Sequence, residues 1–180
     1  MRVLTPETDP LWPHADIFLA GSTTGRLDWQ ARVIDLIAAS APDLTVANPR
    51  PRRAILRRHR AILRRHRAIL RRHRAIPSYR RQARARIAWE HDHLMRARLV
   101  LAWLTADHDV RPIDLLELGA ALGRGQDIVI GADPDSPHRL DIVILTALER
   151  PRLTIHTTLE TLVDAAIHHP TLINHGKETP

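Results

Sequence analysis

Residues 99–104 read LVLAWL, residues 105–111 read TADHDVR, and residues 112–123 read PIDLLELGAALG. The first segment is apolar throughout, as in a strand of a parallel sheet that helices cover on both faces. The second is a polar loop. The third is predicted to be a helix, since proline favours the first helical turn and glycine the residues that end a helix. This order predicts one unit of an α/β fold.

The same alternation continues on both sides of this unit. Residues 139–148 are compatible with a strand or a helix, and Thr157 or Thr158 is expected to cap the last helix, with Glu160 as the capping-box partner of Thr157. The alternation predicts an α/β domain with a parallel sheet, whose ligands bind beyond the carboxyl ends of the strands. The other predicted strands are 16–20, 44–47, 127–130 and 153–155, and the other predicted helices are 27–39, 78–97 and 157–168.

The charge of the chain is concentrated in one segment. The 180 residues include 27 basic and 20 acidic side chains, and sixteen of the basic ones are arginines within residues 50–86, which hold no acid. The rest of the chain is therefore acidic, which argues against a surface built to wrap DNA. The absence of cysteine excludes a disulfide framework, a Cys-ligated zinc site and a thiol nucleophile.

This basic segment is a tandem repeat. The heptad AILRRHR occurs at residues 54–60, 61–67 and 68–74. Its spacing predicts an amphipathic helix that projects from the domain. The repeat is either a contact surface for RNA, DNA or an anionic membrane, or a tolerated expansion of a surface connection. Its histidines would lie about 10.5 Å apart along a helix, too far for one metal ion.

The length suits one domain with short additions. We expect an N-terminal extension at residues 1–15, a domain at 16–169 with an Arg-rich helical insert at 53–76, and a flexible tail at 170–180. The chain shows no signal-peptide pattern and no apolar run long enough for a transmembrane helix, so a cytoplasmic protein is expected.

Two glutamates are candidates for chemistry. Glu117 lies between leucines, where a carboxylate costs free energy unless it is partnered or faces a cleft. An exposed face of an amphipathic helix is the alternative. Glu90 lies on the preceding predicted helix. Two carboxylates that converge on a cleft would suit acid–base and nucleophilic work at a glycosidic bond. Small or polar residues also follow two strands at the expected ligand edge: Gly21, Asn48 and Arg50.

Five short motifs, in order, resemble the nucleoside 2-deoxyribosyltransferase-like family. They are IFLAGS at 17–22, DWQ at 28–30, NPR at 48–50, AWE at 88–90 and PIDLLELG at 112–119. The resemblance implies a flavodoxin-like parallel sheet, with a helix at 139–148 and a strand at 153–155. It also implies an enzyme that cleaves or transfers the N-glycosidic bond of (deoxy)nucleosides or nucleotides, as a homo-oligomer. We expect no cofactor and no metal.

The resemblance assigns catalytic roles to the two glutamates. Glu117 would be the nucleophile that forms a covalent glycosyl intermediate, and Glu90 would be the second carboxylate, which assists protonation of the departing base. The chain departs from the family pattern at two positions. Arg98 stands where family members often carry an aspartate before the central strand, and Arg111 stands where classical members place one six residues before the nucleophile.

The resemblance also implies four substrate-binding residues. Gly21 would border the nucleoside, Asn48 and Arg50 would lie near the substrate, and Asp114 would meet a sugar hydroxyl. Arg50 would attract a 5′-phosphate. The alternative function, from another class, is a catalytically inactive nucleotide-binding domain whose Arg-rich arm binds RNA or another polyanion.

Overall fold

A computed structural model describes residues 1–6, 14–23, 28–50, 77–106 and 112–173. The predicted Arg-rich insert at 53–76 lies outside these residues. The strands are β1 (Arg2–Leu4), β2 (Ile17–Ala20), β3 (Thr45–Ala47), β4 (Leu99–Leu104), β5 (Ile128–Ala132) and β6 (Ile155–His156). The helices are α1 (Trp29–Ser40), α2 (Pro77–Arg96), α3 (Pro112–Gly123), α4 (Arg139–Glu149), α5 (Leu159–Ile167) and α6 (Pro170–Ile173).

The strands form one parallel sheet in the order β1-β3-β2-β4-β5-β6. Without β1, the order of the remaining five strands is 2-1-3-4-5 in chain order, which is the flavodoxin-like arrangement. The predicted α/β fold with a flavodoxin-like parallel sheet is therefore confirmed. The apolar runs of β2 and β4 are buried along their whole length, as a sheet with helices on both faces requires.

Each face of the sheet carries its own apolar core. In β2, Phe18 and Ala20 belong to the core beneath α2, α3 and α4, whereas Ile17 and Leu19 belong to the core beneath α1 and α5. This division follows from the period of two along a strand, which sends successive side chains to opposite faces. The domain is thus a sheet between two helical layers.

The two ends of the chain differ from the prediction. Residues Arg2–Leu4, placed in an N-terminal extension, form β1 and pair with Thr45–Ala47 of β3. A three-residue strand is too short to show a period in the sequence. Residues Pro170–Ile173, placed in the flexible tail, form α6, whose Leu172 is buried against the sheet. Both segments gain their order from packing that the local sequence does not show.

Three further boundaries are corrected. β5 continues two residues beyond its predicted end, through Ala132, and β6 lies at Ile155–His156. The ambiguous segment at 139–148 is helical, as the resemblance implied. Thr158 caps α5 by accepting the backbone N–H of Thr161 at 3.2 Å, so the predicted Thr157–Glu160 capping box is wrong.

Within the described ranges, no helix combines the length and the apolar character needed to cross a membrane.

Candidate functional site

A cleft opens at the carboxyl ends of β2 and β4, beside α3. From β2 the chain continues to β3, which lies on one side of β2 in the sheet. From β4 it continues to β5, which lies on the opposite side of β4. This is the topological switch point, where parallel α/β sheets bind ligands. The cleft has about 310 Å³ of empty volume, including space open to solvent. It is lined by Ala20, Gly21, Ser22, Ala102, Trp103, Leu104, Asp114, Leu115 and Leu118.

Gly21 forms part of the cleft wall for a backbone reason. Its φ is +134°, in a region that side chains rarely allow, and a Cβ atom there would lie 2.3 Å from the carbonyl oxygen of Trp103. The same Cβ would lie 3.2 Å from the Trp29 ring. The sequence predicted Gly21 at the ligand edge of the sheet. The structure adds that the glycine lets β2 turn directly against β4.

Helix α3 contributes the acid of the cleft wall. Asp114 lies in the first turn of α3 and is 5% exposed. A carboxylate suits this position because the amino end of a helix carries partial positive charge. Glu117 follows three residues later, near the same side of the helix, and is half-buried. Asp114 lines the cleft, whereas Glu117 is not among the lining residues of the described cleft.

Glu90 lies on α2, the helix that packs against α3 and β2. It is 1% exposed, and its Oε1 lies 3.8 Å from Nε of Arg86, one turn earlier on the helix. A carboxylate buried to this degree requires compensation by a nearby charge or hydrogen bond. Glu90 does not line the cleft formed by the described residues. The two predicted catalytic glutamates are therefore on neighbouring helices, and Asp114 is the acid of α3 that lines the cleft.

A buried polar network supports the cleft wall from the other side. The carbonyl oxygen of Ser22 accepts hydrogen bonds from Trp29 Nε1 at 3.0 Å and from Gln30 Nε2 at 2.9 Å. The Oε1 of Gln30 accepts from Arg50 Nη1 at 3.2 Å, and Nε of Arg50 lies 3.3 Å from Oδ1 of Asp28. The loop after β2, the start of α1 and the turn after β3 are thereby joined.

The predicted substrate residues Asn48 and Arg50 belong to this network. Asn48 Oδ1 accepts the backbone N–H of Arg50 at 2.9 Å, which shapes the turn after β3. Arg50 is 8% exposed, and its guanidinium group contacts Gln30 and Asp28. The structure brings Gly21 and Asp114 together in the cleft lining, whereas Arg50 is not among the lining residues of the described cleft. Arg50 is linked to the lining residue Ser22 through Gln30.

The sequence prediction missed Gln30, which is fully buried. A signal was present in the sequence, because Gln30, Val33 and Ile37 share the helical spacing of a buried face. A polar residue on such a face needs an internal hydrogen-bond partner. Here the partners are the Ser22 carbonyl group and Arg50.

The departure from the family pattern at Arg98 lies far from the cleft. Arg98 precedes β4, at the amino edge of the sheet, whereas the cleft lies at the carboxyl edge. Arg98 Nη1 donates to Asp16 Oδ1 at 3.2 Å, and Nη2 donates to the carbonyl oxygen of Thr171. Its contacts therefore join β2, β4 and α6. Arg111 lies outside the described residues.

Two titratable groups with shifted pKa values lie near the outer strand β6. Burial lowers the pKa of His156 below its usual 6.5, and the nearby charge of Asp164 opposes this shift. The pKa of Glu160 is lowered by a hydrogen bond with its own backbone N–H and by Arg32. Neither residue lines the cleft of the described chain. Their pKa shifts therefore bear on stability.

The fold and the cleft define a flavodoxin-like α/β domain with a switch-point cleft. No protein-family model matches the chain, and no curated protein matches it. In the part of the chain that the structure describes, no three His, Asp or Glu side chains come together as a metal site.

Proposed function

We propose that the protein cleaves or transfers the N-glycosidic bond of (deoxy)nucleosides or nucleotides, with Glu117 as the nucleophile. One observation carries this proposal. The switch-point cleft is lined by Gly21 and Asp114, and Glu117 lies one helical turn beyond Asp114 on α3. A nucleoside in this cleft would have its sugar beside an acidic helix. The resemblance in the five motifs supports the same chemistry.

The proposed reaction has two steps. A carboxylate oxygen of Glu117 attacks the anomeric carbon, the bond from carbon to the base nitrogen breaks, and its electron pair leaves with the base. Glu90, in its protonated form, donates the proton that this nitrogen gains. Water or a second base then attacks the same carbon from the side opposite Glu117, the bond from this carbon to the Glu117 oxygen breaks, and Glu90 takes up the proton that the incoming group loses. Two inversions retain the configuration, and hydrolysis and transfer differ only in the acceptor.

Asp114 and Arg50 have supporting roles in this proposal. The Asp114 carboxylate accepts a hydrogen bond from a sugar hydroxyl group, which orients the anomeric carbon toward α3. Arg50 acts through Gln30 and Ser22, because its guanidinium group contacts residues inside the domain. Arg50 is therefore a positioning residue in this proposal.

The test is a base-release assay. Purified protein is incubated with each deoxynucleoside or its 5′-monophosphate, with and without a second free base, and the products are separated by chromatography. We expect release or exchange of the base, and loss of several orders of magnitude in rate for Glu117→Gln. Glu149→Gln, an exposed glutamate at the end of α4, is the matched control. Turnover that survives Glu117→Gln contradicts the assignment of the nucleophile.

A second candidate is the inactive nucleotide-binding domain with a polyanion-binding arm. It is favoured by the observation that Asp114, and not Glu117, lines the cleft of the described chain. This candidate predicts nucleotide binding without base release. It also predicts RNA binding that falls steeply with salt and disappears when residues 54–74 are deleted. RNA binding that is absent or insensitive to salt contradicts it.

A further inference from the structure

Helix α4 carries a stripe of large apolar side chains that face solvent. Leu140, Ile144 and Leu148 are 68%, 51% and 76% exposed, and their spacing of four residues places them along one side of the helix. Leu145, beside them, is 42% exposed. We call these four residues the α4 stripe. The opposite side of the helix packs on the domain through Ile142 and Thr146.

The α4 stripe is unusual for the surface of a monomer. Single exposed apolar side chains are common, but a group of them on one element marks an interaction surface. The neighbouring helix α3 packs against α4 and carries another exposed apolar side chain, Leu116, at 67% exposure. The sequence also reflects this second apolar side, since residues 139–148 showed no clear helical period.

We propose that the α4 stripe is the contact between two copies of this chain, related by a two-fold axis near Ile144. Charge favours this occupant. Asp135 and Asp141 are exposed at the amino end of α4, and Arg152 is exposed just beyond its carboxyl end, after Glu149. An antiparallel pair places Arg152 of each copy near the acidic end of the other. A parallel pair would bring like charges together.

The antiparallel pair is favoured for two further reasons. The partial charges at helix ends attract when neighbouring helices run in opposite directions. A two-fold contact also uses the same patch on both copies, so the association closes as a dimer and does not grow into a fibre. A standard interface buries about 800 Å² on each partner. An 11-residue helix supplies part of this area, so the interface includes Leu116 and the turns that flank α4.

The first test measures the mass of the full-length chain by sedimentation equilibrium. We expect a dimer at micromolar concentration and a rise of at least about 100-fold in its dissociation constant for Leu148→Glu. Ile87→Glu, an exposed apolar residue on α2, is the matched control and keeps the dimer. Circular dichroism shows whether each variant is folded. A monomeric wild-type protein, or a folded Leu148→Glu variant with unchanged dimer affinity, overturns the proposal.

The second test uses the absence of cysteine from the chain. Ile144→Cys should join to its own copy through a short bismaleimide reagent, because the two-fold axis passes close to it. Residue 140 lies about 6 Å along the helix from residue 144 and the two-fold axis. The cysteines of two Leu140→Cys copies would therefore be separated by about 12 Å along the helix direction. Leu140→Cys should instead join to Leu148→Cys in a mixture of the two variants. Equal self-linking of Leu140→Cys and Ile144→Cys overturns the antiparallel arrangement.

Discussion

Trp103 lies between two glycines that each leave it room. A Cβ atom at Gly21 would lie 2.3 Å from the Trp103 carbonyl oxygen, and one at Gly131 would lie 2.6 Å from Cε3 of the Trp103 ring. Such distances are far inside van der Waals contact. The backbone of β4 is therefore pressed against the loop after β2, while its tryptophan ring covers β5. Gly21 and Trp103 both line the cleft, so this contact shapes it.

The first prediction concerns Gly21. Gly21→Ala should lower the free energy of unfolding by about 1–3 kcal/mol, because the new methyl group meets a backbone oxygen and the φ of +134° is strained for alanine. Urea unfolding measures this change. The matched control is Gly119→Ala on α3, where an added Cβ meets no described atom within 4 Å.

Gly119→Ala should leave stability unchanged or raise it by up to about 1 kcal/mol, since alanine favours a helix more than glycine does. Equal destabilisation by both substitutions would contradict the close contact at Gly21. A second measurement follows if the proposed activity is found. Gly21→Ala should then raise KM, because the substitution displaces residues that line the cleft.

The second prediction concerns the network behind the cleft. Arg50→Ala removes a nearly buried cation from Gln30 and Asp28, so it should lower the free energy of unfolding by about 2–5 kcal/mol. Arg32→Ala is the control, because its ion pair with Glu160 is exposed on both sides and such pairs contribute little. Thermal unfolding of both variants makes the comparison.

Arg50→Lys separates charge from geometry. Lysine keeps the positive charge but lacks the planar group that reaches Gln30 and Asp28 together. We expect it to recover only part of the stability lost in Arg50→Ala. Full recovery by lysine would show that charge alone matters and would contradict a positioning role through Gln30.

The sequence predicted the parts of the fold that carry strong local patterns. The buried strands β2 and β4 are uninterrupted apolar runs, and α3 has a proline at its start and a glycine at its end. The segment of α4 remained ambiguous because Leu140, Ile144 and Leu148 are apolar on the exposed side, which hides the helical period. The three-residue β1 owes its order to pairing with β3, a contact between distant residues.

The candidate site was predictable to a similar extent. Gly21 and Asp114 lie at the cleft, as residues at the carboxyl ends of parallel strands and at the start of the following helix should. Whether the other predicted site residues line the cleft was not predictable. Whether Arg50 faces a ligand or Gln30 depends on how the loop after β3 packs on α1, which no local pattern specifies.

The third prediction concerns the start of α5. Thr158→Ala should cost about 1 kcal/mol of stability, because Thr158 Oγ1 accepts the backbone N–H of Thr161 at the helix end. Thr157→Ala, at the exposed residue before it, is the control and should have a small effect. Chemical unfolding measures both. A larger loss of stability for Thr157→Ala than for Thr158→Ala would instead support the Thr157–Glu160 capping box.

The fourth prediction concerns pH. Because burial lowers the pKa of His156 in the folded protein, the unfolded chain binds a proton there at a higher pH than the folded one does. The contribution of the neutral His156 side chain to the free energy of unfolding is fully present above about pH 6.5, the usual histidine pKa. It is lost as the pH falls from 6.5 toward the lower pKa of the folded state.

His156→Gln should therefore reduce the loss of unfolding free energy between pH 7.5 and 5.5. The matched control is His91→Gln, which removes an exposed histidine from α2. Urea unfolding at both pH values gives the difference. A His156→Gln variant that loses as much stability as the wild type over this range would show that burial does not disfavour the charged imidazole. A smaller loss would assign part of the acid sensitivity to His156 in β6. The backbone of this residue packs closely on β5, since its carbonyl oxygen lies 3.2 Å from the position that a Cβ atom at Gly131 would take.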